Sequence, residues 1–189
     1  AKIVKTEKIL PAVVKFVDIA GLVAGAAKGE GLGNQFLANI RECQSIVHVL
    51  RAFDDSEVAQ GGEINPKNDL EIIKTELCLA DLQTLEKQKE VNPSVATLED
   101  KKRWATIQKI KKGLEEGQEV KNLSLSEEEK ESIKNLFLLT AKPALFVLNI
   151  AEKEIGLSEE ELKEKYHLQE VGEIIPICAK VEMELADLN

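Results

Sequence analysis

Apolar positions along the chain follow two different periods. Four runs are almost continuously apolar, at 13–18 (VVKFVD), 45–52 (SIVHVLRA), 144–150 (ALFVLNI) and 174–178 (IIPIC). Runs of this length, rich in Val and Ile and without polar alternation, predict strands of a mainly parallel sheet covered on both faces. Between them apolar residues recur every three or four positions, which predicts helices. One covers 34–42. A longer one opens at Asn65-Pro66, with the asparagine as cap and the proline in the first turn, and carries Leu70, Ile73, Leu77, Ala80, Leu82 and Leu85. Asn92-Pro93-Ser94 breaks the chain. A second long helix is expected over 97–116 on the seam Trp104, Ile107, Ile110 and Leu114, with Gly113 and Gly117 marking its end. Ser126 with Glu129, and Ser158 with Glu161, have the spacing of capping boxes. The first should return the chain to the main domain through Ile133, Leu136, Phe137 and Leu139, and a closing helix is expected over 181–188.

Strands alternating with helices predict an α/β, Rossmann-like fold. The two long helices predict an inserted α-helical hairpin at 68–122, which divides the main domain into 1–67 and 123–189. Composition narrows the class. Of 189 residues 43% are hydrophobic, enough for a core, and no run reaches the length of a membrane span. A secretory leader pattern is not present, so a soluble cytoplasmic setting is expected. Cys43, Cys78 and Cys178 are scattered and form no metal-ligand pair, which favours buried thiols over a site. The net charge of −9 argues against a chain that grips nucleic acid as a whole. Basic residues gather once, in Lys101, Lys102, Arg103, Lys109, Lys111 and Lys112. On a helix they make either a solvated surface balanced by nearby glutamates or a face for RNA.

Candidate chemistry begins where the first run ends. Ligands of open α/β sheets sit at the carboxyl ends of strands, and there Asp18 is followed three residues on by Gly21. An aspartate in that place can hold magnesium, usually through water, and a glycine lets a terminal phosphate approach the backbone. Four letters alone are equally compatible with a strand and a turn. The glycines at 25, 29, 31 and 33 lie too far from the strand end, and without G-x-x-G spacing, for a dinucleotide fingerprint.

The longer string FVDIAGLVAGAAKGEGLGNQFLANIRE, 16–42, is more specific. Together with HVLRAF (48–53), the pattern INP–D–E–I–TEL–LADL (64–82), LTAKPALFVLNIAE (139–152) and PICAKVEMELADL (176–188), it resembles the Obg family of translation-factor-related GTPases. Within that family it looks most like the YchF, or Obg-like ATPase, branch. The likeness covers most of the chain and is weakest between about 90 and 117. It implies an incomplete P-loop NTPase domain, because G-x-x-x-x-G-K-[ST] does not occur in these residues. With Ala1 first and Met183 the one methionine, the chain is expected to be the middle of a longer protein, between a phosphate loop and a TGS domain. By itself it should then hydrolyse nucleotide poorly.

The resemblance implies ATP (or GTP) and Mg as cofactors, slow hydrolysis in the intact protein, and a ribosome partner. It gives Asp18 to magnesium and Gly21 to the terminal phosphate. Leu22 stands where many GTPases have a water-orienting glutamine, and an apolar side chain cannot order water. The loop 54–63, where the branch places a histidine, contains none. Gln60 is nearest, and is the candidate for orienting water. His48 lies inside an apolar run and reads as a core or strand-face residue. Asn149, Ile150 and Glu152 occupy the base-recognition stretch, N-x-x-E in place of the guanine-specific N-K-x-D, which implies a preference for ATP. Cys178, Ala179 and Lys180 occupy the last base-contacting loop. Two other readings stay open: an Obg-type GTPase, and a non-catalytic helical interaction module on an α/β scaffold.

Overall fold

The computed structural model describes residues 12–18, 32–54, 64–90, 92 and 94–188, and of residues 32–36 the backbone alone. Three strands, β1 (Ile46–Ala52), β2 (Ala144–Ile150) and β3 (Ile174–Ile177), form one sheet in the order β1-β2-β3. Both pairings are parallel, with Leu50 beside Leu148 and Phe146 beside Ile174. Parallel neighbours need crossover connections. The first carries α2 (Pro66–Glu86), α3 (Leu98–Glu115) and α4 (Glu127–Ile133); the second carries α5 (Glu159–Lys165). The helix α1 (Leu32–Glu42) precedes β1, and α6 (Ala179–Ala186) follows β3. An α/β fold with a parallel sheet is therefore what the two periods produce.

The register decides which side chains share a face. Leu50, Ala52, Leu148 and Ile150 point the same way and are buried with Leu70 of α2, Leu162 of α5, Leu168, Val171, Ile174 and Cys178. The opposite face carries Val47 and Val49 of β1, Leu145 of β2 and Ile175 of β3, all exposed. The expectation of two covered faces thus holds for one face among the described residues. The first apolar run also departs from expectation. Residues 12–18 belong to no strand, and Val13 and Phe16 are 85% and 83% exposed. A β-branched run supplies propensity, but a strand also needs a neighbour to pair with, and no described strand lies beside this one.

Helix α2 organises the rest. Its 21 residues span about 31 Å at the helical rise. Near its start Leu70 joins the sheet core. Midway, Leu77 and Ala80 pack on Leu37 and Ile40 of α1 and on Leu139. Cys78 and Leu85 pack with Ile107, Ile110 and Leu114 of α3 and with Val120, Ile133, Leu136 and Leu138. The return helix α4 thus packs on the hairpin before the chain rejoins the sheet. Phe137 is not part of that return packing: it is 61% exposed and adopts a left-handed φ of 49° between two buried leucines.

The ends of these helices follow from local chemistry. The Asn65 side chain accepts from the Asn68 N–H at 3.0 Å, and both expected Ser–Glu capping boxes form. A third box, Thr97 with Asp100, opens α3. Gly117, at φ +78°, ends α3: the Gln118 N–H reaches back to the Gly113 carbonyl at 2.8 Å. Gly113 lies inside the helix for a packing reason, since a Cβ there would meet Leu123 Cδ2 at 2.7 Å.

A buried carboxylate fastens the hairpin root to the sheet. Asp81, 1% exposed, accepts from the Leu139 N–H (2.7 Å), the Thr140 N–H (2.8 Å) and the Thr140 hydroxyl (2.7 Å). The Thr140 oxygen in turn accepts from the Val120 N–H at 3.2 Å. Burial pushes the Asp81 carboxyl above its usual range, against the pull of those hydrogen bonds. On α1, Arg41 donates to Thr84 Oγ1 at 3.3 Å, and Lys142 caps the helix end through the Arg41 and Cys43 carbonyls.

Candidate functional site

The carboxyl ends of β2 and β3 lie side by side because the two strands are parallel neighbours. Asn149, half-buried and one residue from the end of β2, pairs in register with Ile177. Its Oδ1 accepts from the Ala179 N–H at 3.0 Å. The first free amide of α6 is thereby tied to the strand that precedes the N-x-x-E turn. Ala179 and Lys180 are exposed at the start of that helix. Glu152 is exposed too, at the head of the short 3-10 turn Glu152–Glu154. Two candidates face elsewhere. The side chains of Ile150 and Cys178, 5% and 7% exposed, are part of the sheet core, so toward solvent they offer main-chain groups only.

Directly behind the turn sits a charged cluster that the sequence reading did not single out. Glu154 is 3% exposed. Its Oε2 accepts from the Ala151 N–H at 3.0 Å; its Oε1 meets Lys165 Nζ and, at 2.7 Å, the Tyr166 hydroxyl. The same hydroxyl lies 2.8 Å from the carbonyl of Ala52, the last residue of β1. Burial disfavours the Glu154 carboxylate, but the hydrogen bonds from Lys165, Tyr166 and Ala151 outweigh it and hold the acid below its usual range. Glu154 raises the Lys165 ammonium, while burial and then Glu154 raise the Tyr166 phenol. A signal existed in the sequence: Tyr166 is the chain's one tyrosine, in a stretch otherwise dense in Glu and Lys, although its partners Glu154 and Ala52 lie 12 and 114 residues away.

The remaining candidates are placed less completely. Asp18 is exposed. Gly21 and Gln60 lie outside the described residues. Magnesium takes much of its shell from water and phosphate oxygens and needs few carboxylates. Among the described residues no group of three or more His, Cys, Asp or Glu could hold a metal ion. His48 is a core residue, 5% exposed and stacked on Phe146 with ring centroids 5.2 Å apart. Burial, and then Lys121, lower it to about 4, so it is neutral at pH 7. Cys78 is raised to about 11 by burial, followed by Glu119 and Asp81, and is an inert thiol.

The basic residues of α3 do not form one free face. Lys102 pairs with Glu128 at 3.3 Å and Lys109 with Glu129 at 3.0 Å. Arg103 donates to the Ser132 carbonyl at 2.9 Å and reaches Gln88 and Asn135. These three link α3 to α4 and the rest of the hairpin; Lys101, Lys102, Lys109 and Lys112 are exposed on α3 and Lys111 is half-buried.

Known proteins are similar to this chain in sequence and in fold. A family described as 50S ribosome-binding GTPase matches residues 2–89. The ribosome-binding ATPase YchF of Escherichia coli O157:H7 is 40% identical over an alignment that takes in 100% of this chain and 53% of that protein. Its namesake in Bacillus subtilis (strain 168) is 38% identical, again over the whole chain and 54% of the relative. The YchF GTPase of Schizosaccharomyces pombe superimposes with a TM-score of 0.71 at 35% identity, covering 89% of this chain and 49% of that one. Over its whole length the chain resembles the YchF proteins. It spans about half the length of the curated YchF proteins it matches. The two curated relatives are named ribosome-binding ATPases and the solved relative a GTPase. No described helix is long and apolar enough to cross a membrane.

Proposed function

We propose that this chain carries the base-recognition edge and the helical arm of a ribosome-associated YchF ATPase that prefers ATP to GTP. The observation that carries the reading is the Asn149 Oδ1 bond to the Ala179 N–H at 3.0 Å, which joins the loops after β2 and β3 into one exposed edge. Asn149, Glu152, Ala179 and Lys180 would meet the base, with Ile150 and Cys178 contributing main chain and core support. A guanine-specific site offers an aspartate to the N1–H and exocyclic amine of guanine. Here the carboxylate of Glu152 stands one methylene farther out, which weakens that paired acceptance. Asp18 would hold magnesium, Gly21 would face the terminal phosphate, and Gln60 would orient water. Magnesium supplies charge neutralisation of the phosphates, and catalysis by the chain's own groups is positioning without a covalent step.

The segment 68–122 acts in this reading as the arm that meets the ribosome. Its core is shared with Ile133, Leu136 and Leu138 of the returning chain, and Asp81 ties it to Leu139, so in this reading the arm is anchored on the nucleotide domain. The deciding experiment is titration of the whole protein with ATP and GTP in the presence of magnesium by calorimetry. Tighter binding of ATP supports the reading. Equal or tighter binding of GTP overturns the preference and favours the Obg-type GTPase.

A further inference from the structure

The turn that carries Glu152 is held from behind at several points. Glu154 accepts from the Ala151 N–H, which closes the turn on itself. Its other oxygen meets Lys165 and Tyr166 at the end of α5. Helix α5 is in turn fixed to the sheet, because Leu162 is fully buried and Glu159 Oε1 accepts from the Ile174 N–H of β3 at 3.1 Å. The Tyr166 hydroxyl also reaches the Ala52 carbonyl at the carboxyl end of β1. One phenol thus connects the end of β1, the helix before β3 and the turn after β2. The phenol has a single proton for two acceptors, so it donates either to the Ala52 carbonyl or to the Glu154 carboxylate, while Lys165 holds that carboxylate in place.

We propose that Tyr166 is a positioning residue for base recognition: by bridging Ala52 at the end of β1 and Glu154 in the turn, it fixes Glu152 relative to Asn149 and so sets how well the site tells adenine from guanine. The inference rests on the nucleotide-binding reading above. Tyr166 itself touches no base. Its ring is half-buried against the sheet core, and its hydroxyl points to main chain and carboxylate behind the turn. Discrimination depends on an acceptor held in place; an acceptor free to swing pairs almost as well with either base.

The test uses the whole protein and three probes, ATP, GTP and inorganic tripolyphosphate, each titrated with magnesium into the wild type, Tyr166→Phe and Glu154→Gln. The wild type should bind ATP more tightly than GTP, and both more tightly than tripolyphosphate. Tyr166→Phe keeps the ring and removes the bridge, and should lower the ATP-to-GTP affinity ratio by roughly three- to tenfold, the scale of one structural hydrogen bond. Tripolyphosphate is the internal reference, because it has no base to misplace. A lowered melting temperature with an unchanged ratio would mean that Tyr166 only supports the fold, and the inference would be wrong. Should Tyr166→Phe not fold, Glu154→Gln reaches the same bridge from the turn side, and an unchanged ratio there overturns the inference equally. A wild type that binds ATP no better than tripolyphosphate removes the base site, and this inference with it; that failure shows in the wild type alone.

Discussion

Acidification should destabilise this chain through His48, and the effect can be worked from the structure. The imidazole is 5% exposed, stacked on Phe146, and flanked by Lys121, Glu119 and Lys74. Burial first, then Lys121, lower it to about 4 from an ordinary value of 6.5; Glu119 opposes and Lys74 adds to the lowering. A group with a depressed folded pKa that is neutral when unprotonated makes the unfolded chain bind more protons in the window between those two values. Stability is therefore intact above about pH 6.5 and is lost progressively as pH falls toward 4. Integrated from pH 7 to pH 5, the loss is about 2 kcal/mol, and below pH 4 it approaches about 3 kcal/mol. Other buried acids also respond to acidification. Asp81, raised by burial, works in the opposite direction, and Glu154, held low, in the same one. The wild type alone does not isolate the histidine, but comparison with His48→Leu does. That variant cannot ionise, and whatever its altered packing costs is a pH-independent offset. Urea denaturation of both proteins at pH 7 and pH 5 should give a pH dependence shallower by about 2 kcal/mol in His48→Leu. Parallel pH profiles would refute the reasoning, as would an NMR titration placing the His48 pKa at 6 or above.

Three further outcomes follow from named contacts. Asp81→Ala leaves the Leu139 N–H, the Thr140 N–H and the Thr140 hydroxyl without their acceptor, and should cost about 3 kcal/mol in chemical denaturation; a cost under about 1 kcal/mol would show water replacing the carboxylate. Gly117→Ala forces a Cβ into a backbone at φ +78° where nothing crowds it, so it should lose about 1 kcal/mol from conformation alone. Gly117→Asn should cost less than the alanine in the same assay, because asparagine tolerates that region. Asn149→Ala removes the acceptor of the Ala179 N–H and should weaken ATP binding to the whole protein by roughly tenfold in calorimetry. Undiminished affinity would dissociate the β2–β3 edge from the base.

Much of the architecture is present in the order of residues. Three of the four apolar runs are strands, because each finds a parallel neighbour to pair with. Asn65-Pro66 and the two Ser–Glu pairs open helices where they stand, since capping is satisfied within four residues and needs nothing from the rest of the fold. The string 16–42 and the N-x-x-E stretch were enough to recognise the resemblance, which the relatives then bore out. What the order of residues could not settle depends on partners distant in sequence. VVKFV has the composition of a strand and pairs with none among the described residues. The lysines of α3 look like one cationic face until α4 folds back and takes Lys102, Arg103 and Lys109. Gly113 and Gly117 read alike, yet one makes room for Leu123 and the other closes the helix. Asp81 and Thr140, 59 positions apart, and Tyr166 and Ala52, 114 apart, meet only once the sheet has formed. Short-range hydrogen bonds and periodicity are encoded locally. Which carboxylate is buried, which lysine is paired and which phenol reaches a strand end are decided by tertiary packing, because burial and pairing are properties of the completed fold.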